Sequence, residues 1–312
     1  MIYLDSAATT LQKPPAVSSA VSYAIRNFSS PGRGGYPSAM AAADTVFTCR
    51  EEAAALFGAD SPEQVVFTGS ATHGLNIAIR SLVKPGSAVV ISGFEHNAVM
   101  RPLYALGAKI SVAGRRLFDR ENTLLEWERA LERGQEAAVF THVSNVFGYV
   151  LPLEEIAALC REKDIPLIVD AAQSAGTLPL SLESLGAAYV AMPGHKGLLG
   201  PQGTGMLLCG KVPEPLLYGG TGTASREREM PLELPERLEA GTLNVPGIAG
   251  LSAGLGYLMQ RGIADVKSQA TEQCKICAKS LENMGYRVFF GGNQLATVSF
   301  VPDTDCEVFA QR

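Results

Sequence analysis

AAVFTHVSNVFGYVLPLEEIAALCREKDIPLIVDAAQSAG, residues 137–176, decides the fold. Its opening run, 137–143, is apolar and predicts a strand. Its middle, 153–162, places apolar residues at helical spacing. Its end, 166–169, is a second apolar strand, closed by Asp170. A strand, a helix and a strand in so short a stretch make the unit from which parallel sheets are built. Neighbouring segments repeat it. Strands are predicted over 65–67, 89–91, 110–112 and 189–191, with helices opening at Ser70 and over 97–106. The strands are near-continuous apolar runs, as expected when helices cover both faces of a sheet. The prediction is an α/β fold with a doubly wound, mostly parallel sheet.

After about Glu239 the pattern changes. Helices are predicted over 244–260 and 264–284, and strands over 288–290 and 297–301, joined by a loop with Gly291, Gly292 and Asn293. This reads as the start of an α+β domain with too few elements to be complete. The expected organisation is an N-terminal segment at 1–12 packing with the small domain, a large domain over 13–243, and a small, truncated domain over 244–312.

Composition narrows the function. The 312 residues carry 26 Lys plus Arg against 31 Asp plus Glu, a formal net charge of −5. An acidic chain without a basic block is not expected to bind nucleic acid or an anionic membrane. The longest apolar stretch, 245–259, is interrupted by four glycines, so no membrane span is expected. Asp5 stands where an export signal would need its apolar core. Six cysteines in a long acidic chain suggest reduced thiols and a cytoplasmic protein rather than a disulfide framework.

Ligands of open α/β sheets bind at the carboxyl ends of the strands. Those ends carry Ser70-Ala71-Thr72-His73, Glu95-His96-Asn97, His142-Val143-Ser144-Asn145, Asp170-Ala171-Ala172-Gln173 and Pro193-Gly194-His195-Lys196-Gly197. Taken singly, each has an ordinary reading: Asp170 as a turn residue, Lys196 as a surface residue, Ser70 as a helix cap. Their convergence on one rim is what carries weight. The nucleotide-binding GxGxxG and GxxxxGK[ST] patterns are absent, as are GxSxG and HExxH, and no metal site is expected. Cys274-Lys275-Ile276-Cys277 is a CxxC inside a predicted helix with no partner pair, and is read as structural. A desolvated lysine can form a Schiff base. A carboxylate can keep a pyridine nitrogen protonated, and a helix start suits a phosphate. Together these describe a site for pyridoxal 5′-phosphate (PLP).

Eight runs then make the chain recognisable: YLDSAATT (3–10), PGRGG (31–35), SATHGLN (70–76), EHNAV (95–99), HVSNVFG (142–148), VDAAQSAG (169–176), GHKGLLGPQGTG (194–205) and EAGTLN (239–244). In this order they resemble the cysteine desulfurase family of the class V aminotransferase group, PLP enzymes of fold type I. The PGRGG and GHKGLLGPQGTG wording is most similar to a desulfurase-like branch. The resemblance implies that Lys196 carries PLP and moves protons, that Asp170 pairs with the pyridinium nitrogen and that His96 stacks on the ring. It implies Gln173 and Asn145 near the ring hydroxyl, with Asn145 also near the substrate carboxylate. Ala71, Thr72 and His195 would hold the phosphate. Thr242 and Arg33 would reach the site of a partner subunit in a homodimer, Thr242 at the phosphate and Arg33 at the substrate.

The chain departs from the family pattern in places. Pro193 replaces a common phosphate-binding serine, and His73 a common glutamate. The nucleophilic cysteine and the arginine that grips the substrate carboxylate are expected beyond Arg312; Cys306 does not sit in that motif. The implied reaction removes sulfur from L-cysteine to give alanine and a protein-bound persulfide, passed to an acceptor protein in sulfur metabolism and iron–sulfur cluster assembly. The alternatives are a selenocysteine lyase, another class V lyase, epimerase or aminotransferase, or a PLP-binding partner without catalysis.

Overall fold

The computed structural model describes residues 2–32, 34–222 and 226–310. Two helices come first, α1 (Pro15–Asn27) and α2 (Pro37–Phe57), each opened by a proline whose missing N–H costs a first turn nothing. Gly58, at φ +55°, stops α2. There follow β1 (Val65–Thr68), α3 (Ala71–Leu82), β2 (Ala88–Ser92), α4 (Asn97–Ala105), β3 (Lys109–Ala113), α5 (Arg120–Leu131), β4 (Ala137–Thr141), α6 (Leu153–Glu162), β5 (Leu167–Asp170), α7 (Leu182–Leu185), β6 (Tyr189–Pro193) and β7 (Gly205–Cys209). The chain continues through α8 (Val245–Arg261), α9 (Ile263–Asn283), β8 (Arg287–Phe289), β9 (Ser299–Val301) and α10 (Cys306–Ala310).

Seven strands form one sheet in the order β1-β7-β6-β5-β4-β2-β3. Pairing is parallel from β6 across to β3, and β7 runs antiparallel to both its neighbours. The sheet is therefore mostly parallel, as expected. Alternate residues feed different layers. Val65 and Phe67 join a core with α2, α5, α6 and α8, whereas Val66 joins a core with α3 and α4. Trp127 is wholly buried, edge-on to Phe140 of β4 at 5.0 Å between ring centres. Burying a side chain of this class contributes about 1.5–3 kcal/mol.

Three differences from the sequence reading have local causes. The strand predicted over 137–143 ends at Thr141, and beyond it only an isolated bridge joins Val143 to Val150. Strand β7 was hidden behind a glycine-rich run that reads as loop. Helices α1, α2 and α5 were not predicted; α2 is rich in alanine and shows a weak apolar stripe.

The second sheet is the hairpin β8-β9. Its loop docks on the loop after β4: Gln294 Nε2 donates to Phe147 O (2.9 Å) and the Leu295 amide donates to Gly148 O, while Gln294 also braces its own loop through Thr297 O (2.7 Å). Helix α8 packs on α1 and α2, and its Val245, Ile248, Leu251, Leu255 and Leu258 lie in the core of the large sheet. That packing is the observation that bears on the division at 243/244, which stays a proposal.

Candidate active site

A cavity of about 470 Å³ opens at the carboxyl ends of the parallel strands. Strand β5 delivers Asp170 to its wall as the last residue of a fully buried run. Asp170 is 3% exposed, and its Oδ1 accepts from the Ala172 amide at 2.8 Å. No ion pair neutralises it among the described residues. Burial raises its pKa, against the pull of that amide and of His96 and Lys196.

Lys196 sits in the turn after β6. Behind it the backbones of Gly176 and Gly197 nearly touch: a Cβ on Gly176, whose φ is +81°, would lie 2.4 Å from Gly197 O. Only glycine allows that approach. Burial lowers the Lys196 pKa, while Asp170 and Asp5 pull it upward. The turn is held by the N-terminal segment. The Thr10 amide donates to His195 O (3.1 Å), Thr10 Oγ1 to Lys196 O (3.0 Å), and Lys13 Nζ to both Thr10 O (2.6 Å) and His195 O (3.4 Å). His195 Nδ1 lies 3.0 Å from Thr9 Oγ1, and Gln173 Nε2 donates to Ala7 O at 3.0 Å.

Ser70 caps α3: its Oγ accepts from the His73 amide and its carbonyl from the Gly74 amide. The amides of Ala71 and Thr72 make no hydrogen bond within the described residues, so the helix start keeps two donors for an anion. His96 caps α4, its Nδ1 accepting from the Ala98 amide at 3.1 Å, which fixes the proton on Nε2 when the ring is neutral.

Of the sequence-predicted residues, Ala71, Thr72, His96, Asn145, Asp170, Gln173, His195 and Lys196 all line this one cavity. Thr242 does not: it lines a second cavity of about 390 Å³, together with Glu239 and Arg50. Arg33 lies outside the described residues. His73 turns back to its own loop, where its Nδ1 accepts from the Gly69 amide. His142 is 3% exposed, and burial together with Lys267 pushes its pKa down to about 4, so it is a neutral core imidazole. None of the six cysteines lines the cavity. Sequence reasoning passed over Asp5, Ala7 and Ala8 as site residues. The signal was there, because YLDSAATT was among the recognised runs.

The profile of the aminotransferase class-V family matches residues 2–306. A probable cysteine desulfurase of Methanothermobacter thermautotrophicus is 32% identical over 298 residues, 91% of this chain and 74% of that protein. A second, of Pyrococcus abyssi, is 30% identical over 91% of this chain and 73% of its own length. The apo structure of the cysteine desulfurase of Thermococcus onnurineus superposes with a TM-score of 0.91 at 28% identity, covering 99% of this chain and 81% of that one. These matches, read with the cavity, place the protein: it belongs to the class-V aminotransferase family of PLP-dependent enzymes, in its cysteine desulfurase-like group.

Proposed function

We propose that this protein binds PLP and removes sulfur from L-cysteine, leaving alanine. One observation carries the reading: a buried, unpaired carboxylate, a desolvated lysine and a helix start with two unused amides share one cavity. The residues fit the cofactor. An unpaired buried carboxylate calls for a cation, and a protonated pyridine nitrogen is one. Two unused amides call for an anion, and a phosphate is one. When bound, PLP would supply an electron sink for the electron pair left as the substrate's α-proton departs.

The chain's residues would do the remaining work. Asp170 would keep the ring nitrogen protonated. Gln173 and Asn145 would meet the ring hydroxyl, His96 the ring face, and Ala71, Thr72 and His195 the phosphate. Lys196 would attach the cofactor through Nζ and, once displaced by the substrate amine, take the α-proton. Its lowered pKa suits that task, since an amine that gives up its proton more readily is a base nearer neutral pH. Sulfur transfer needs a thiolate. Cys160 is buried and its thiol pushed up to about 12, and Cys49 and Cys209 are pushed up further by burial. None of the six cysteines lines the cavity, so we assign the sulfur-accepting thiolate to a group other than these. Thr242 and Arg33 would serve the partner's site in a two-fold dimer, and six free thiols suit a reducing, cytoplasmic setting.

The relatives' names favour this reading over a selenocysteine lyase, another class-V lyase, an epimerase, an aminotransferase or a non-catalytic partner. The test is product analysis with L-cysteine, added PLP and a thiol reductant. Alanine and sulfide in equal amounts are expected. Pyruvate and ammonia in their place, or no cofactor absorption band, would sink the proposal.

A further inference from the structure

Glu95 precedes His96 at the point where the strand order reverses, between β2 and β4. Such a switch point is where an open sheet splits and a ligand enters. Its Oε1 closes the split. It accepts from Ser92 Oγ (2.6 Å) and the Ser92 amide (3.3 Å) on β2, and from the Thr141 amide (2.8 Å) on β4. Thr141 is the register partner of Asp170 on β5. Although Glu95 as a residue is partly exposed, its carboxyl is not: Oε2 is shut off from solvent and has no hydrogen-bond partner. No lysine or arginine pairs with it among the described residues.

We propose that Glu95 is a positioning residue of the PLP site: its uncharged carboxyl ties β2 to β4, aims His96 into the cavity and leaves Asp170 as the only buried anion beneath the cofactor. This rests on the PLP reading. Two carboxylates sharing a buried compartment resist ionising together. The charged groups that bear on the pair are Asp170, which acts on Glu95, and His96 and Lys196, which favour ionisation of Asp170. Lys196 and the His96 ring bear on Asp170, and no lysine or arginine among the described residues bears on Glu95, so the proton stays on Glu95. Burial, with Asp170 adding to it, pushes the Glu95 pKa up to about 8. A second full charge there would raise the proton affinity of the ring nitrogen and of the lysine-bound cofactor. Neutral Glu95 keeps the structural tie without that field.

Wild type, Glu95→Gln and Glu95→Ala test this. In the apo-protein, the raised pKa of Glu95 contributes stability that is complete below the unfolded value of 4.5 and is lost as pH rises toward about 8. Wild type should lose melting temperature over that window, and Glu95→Gln, which has no proton to release, should lose less. In the PLP-loaded protein, Glu95→Gln should keep the wild-type titration midpoint of the cofactor band, because glutamine accepts the same three bonds and is also neutral. Glu95→Ala should weaken PLP binding about tenfold, the loss of about one net hydrogen bond's worth of positioning, and should reduce the circular dichroism of that band. A midpoint lowered by about one pH unit or more in Glu95→Gln would show a carboxylate in the wild type and overturn the proposal. So would Glu95→Ala with wild-type PLP affinity and dichroism. If Glu95→Ala does not fold, Glu95→Gln still decides. If wild type binds no PLP, the functional reading fails, while the apo-protein profile still decides the state of Glu95.

Discussion

The cavity that holds Lys196 and the cavity that holds Thr242 are of similar volume and opposite character. In the one that holds Lys196, buried charge is left unmatched: Asp170 has no ion-pair partner among the described residues, and Lys196 has lost much of its hydration. In the one that holds Thr242, buried charge is matched. Arg50 and Glu239, each with a 6% exposed side chain, form an ion pair. Arg50 also donates to Val65 O and lies 4.4 Å from the Phe67 ring centre, and Glu239 accepts from the Phe67 amide at 2.6 Å. Matched charge holds a scaffold, here the 239–242 loop on the edge strand β1. Unmatched charge costs stability and is kept where a ligand completes it.

This contrast can be broken in four ways, of decreasing size. Lys196→Ala should abolish the cofactor's lysine-bound absorption band and all chemistry on amino acids, with the fold intact by circular dichroism. Borohydride should trap the cofactor on Lys196, and trapping on another lysine would move the site. Asp170→Ala should cost at least about a hundredfold in kcat, about 2.7 kcal/mol of barrier, because the ring nitrogen loses its partner. A loss of only a few-fold would show that the carboxylate serves the sheet and not the cofactor.

Arg50→Ala should act on stability instead. Leaving Glu239 buried without its partner costs about 3 kcal/mol in denaturant unfolding, and the cofactor band should keep its position. The double variant Arg50→Met with Glu239→Leu should recover most of that loss but not all, since the Phe67 amide loses its acceptor. Equal damage to the cofactor band in Arg50→Ala would erase the distinction between the two cavities. The smallest effect is expected from Thr10→Val, which removes one hydrogen bond to Lys196 O and leaves the Leu199 amide on the same carbonyl. About 1 kcal/mol and a few-fold loss in kcat are expected. If kcat is unchanged and only the melting temperature falls, the N-terminal segment is a scaffold element and does not steer the lysine.

Much of the site was legible because its residues come in short, ordered runs at strand ends. Asp170 closes an apolar strand and opens into the VDAAQ run, and Lys196 follows a strand and sits among glycines. The position of each is then set by the strand before it. Glu95 was not legible as a contributor. Its role depends on β4 lying beside β2, and a residue 46 positions away, Thr141, supplies the third donor. Arg50 and Glu239 escaped for the same reason, being 189 residues apart. Helix α2 was missed because its alanine-rich sequence carries only a weak apolar stripe, and its partner surface on α8 is remote in sequence.

What the sequence by itself determined is the local part: apolar runs that make strands, the cap that starts α3, and the chemistry of the residues that end each strand. Those depend on neighbours within a few positions, so they survive being read in one dimension. Only the tertiary structure decided which charges are matched. Pairing Arg50 with Glu239, leaving Asp170 without a partner, and setting Glu95 beside Asp170 at the reversal of strand order all follow from the strand order β1-β7-β6-β5-β4-β2-β3. The energy of a buried charge is set by what lies within a few ångströms in space, whatever the distance along the chain.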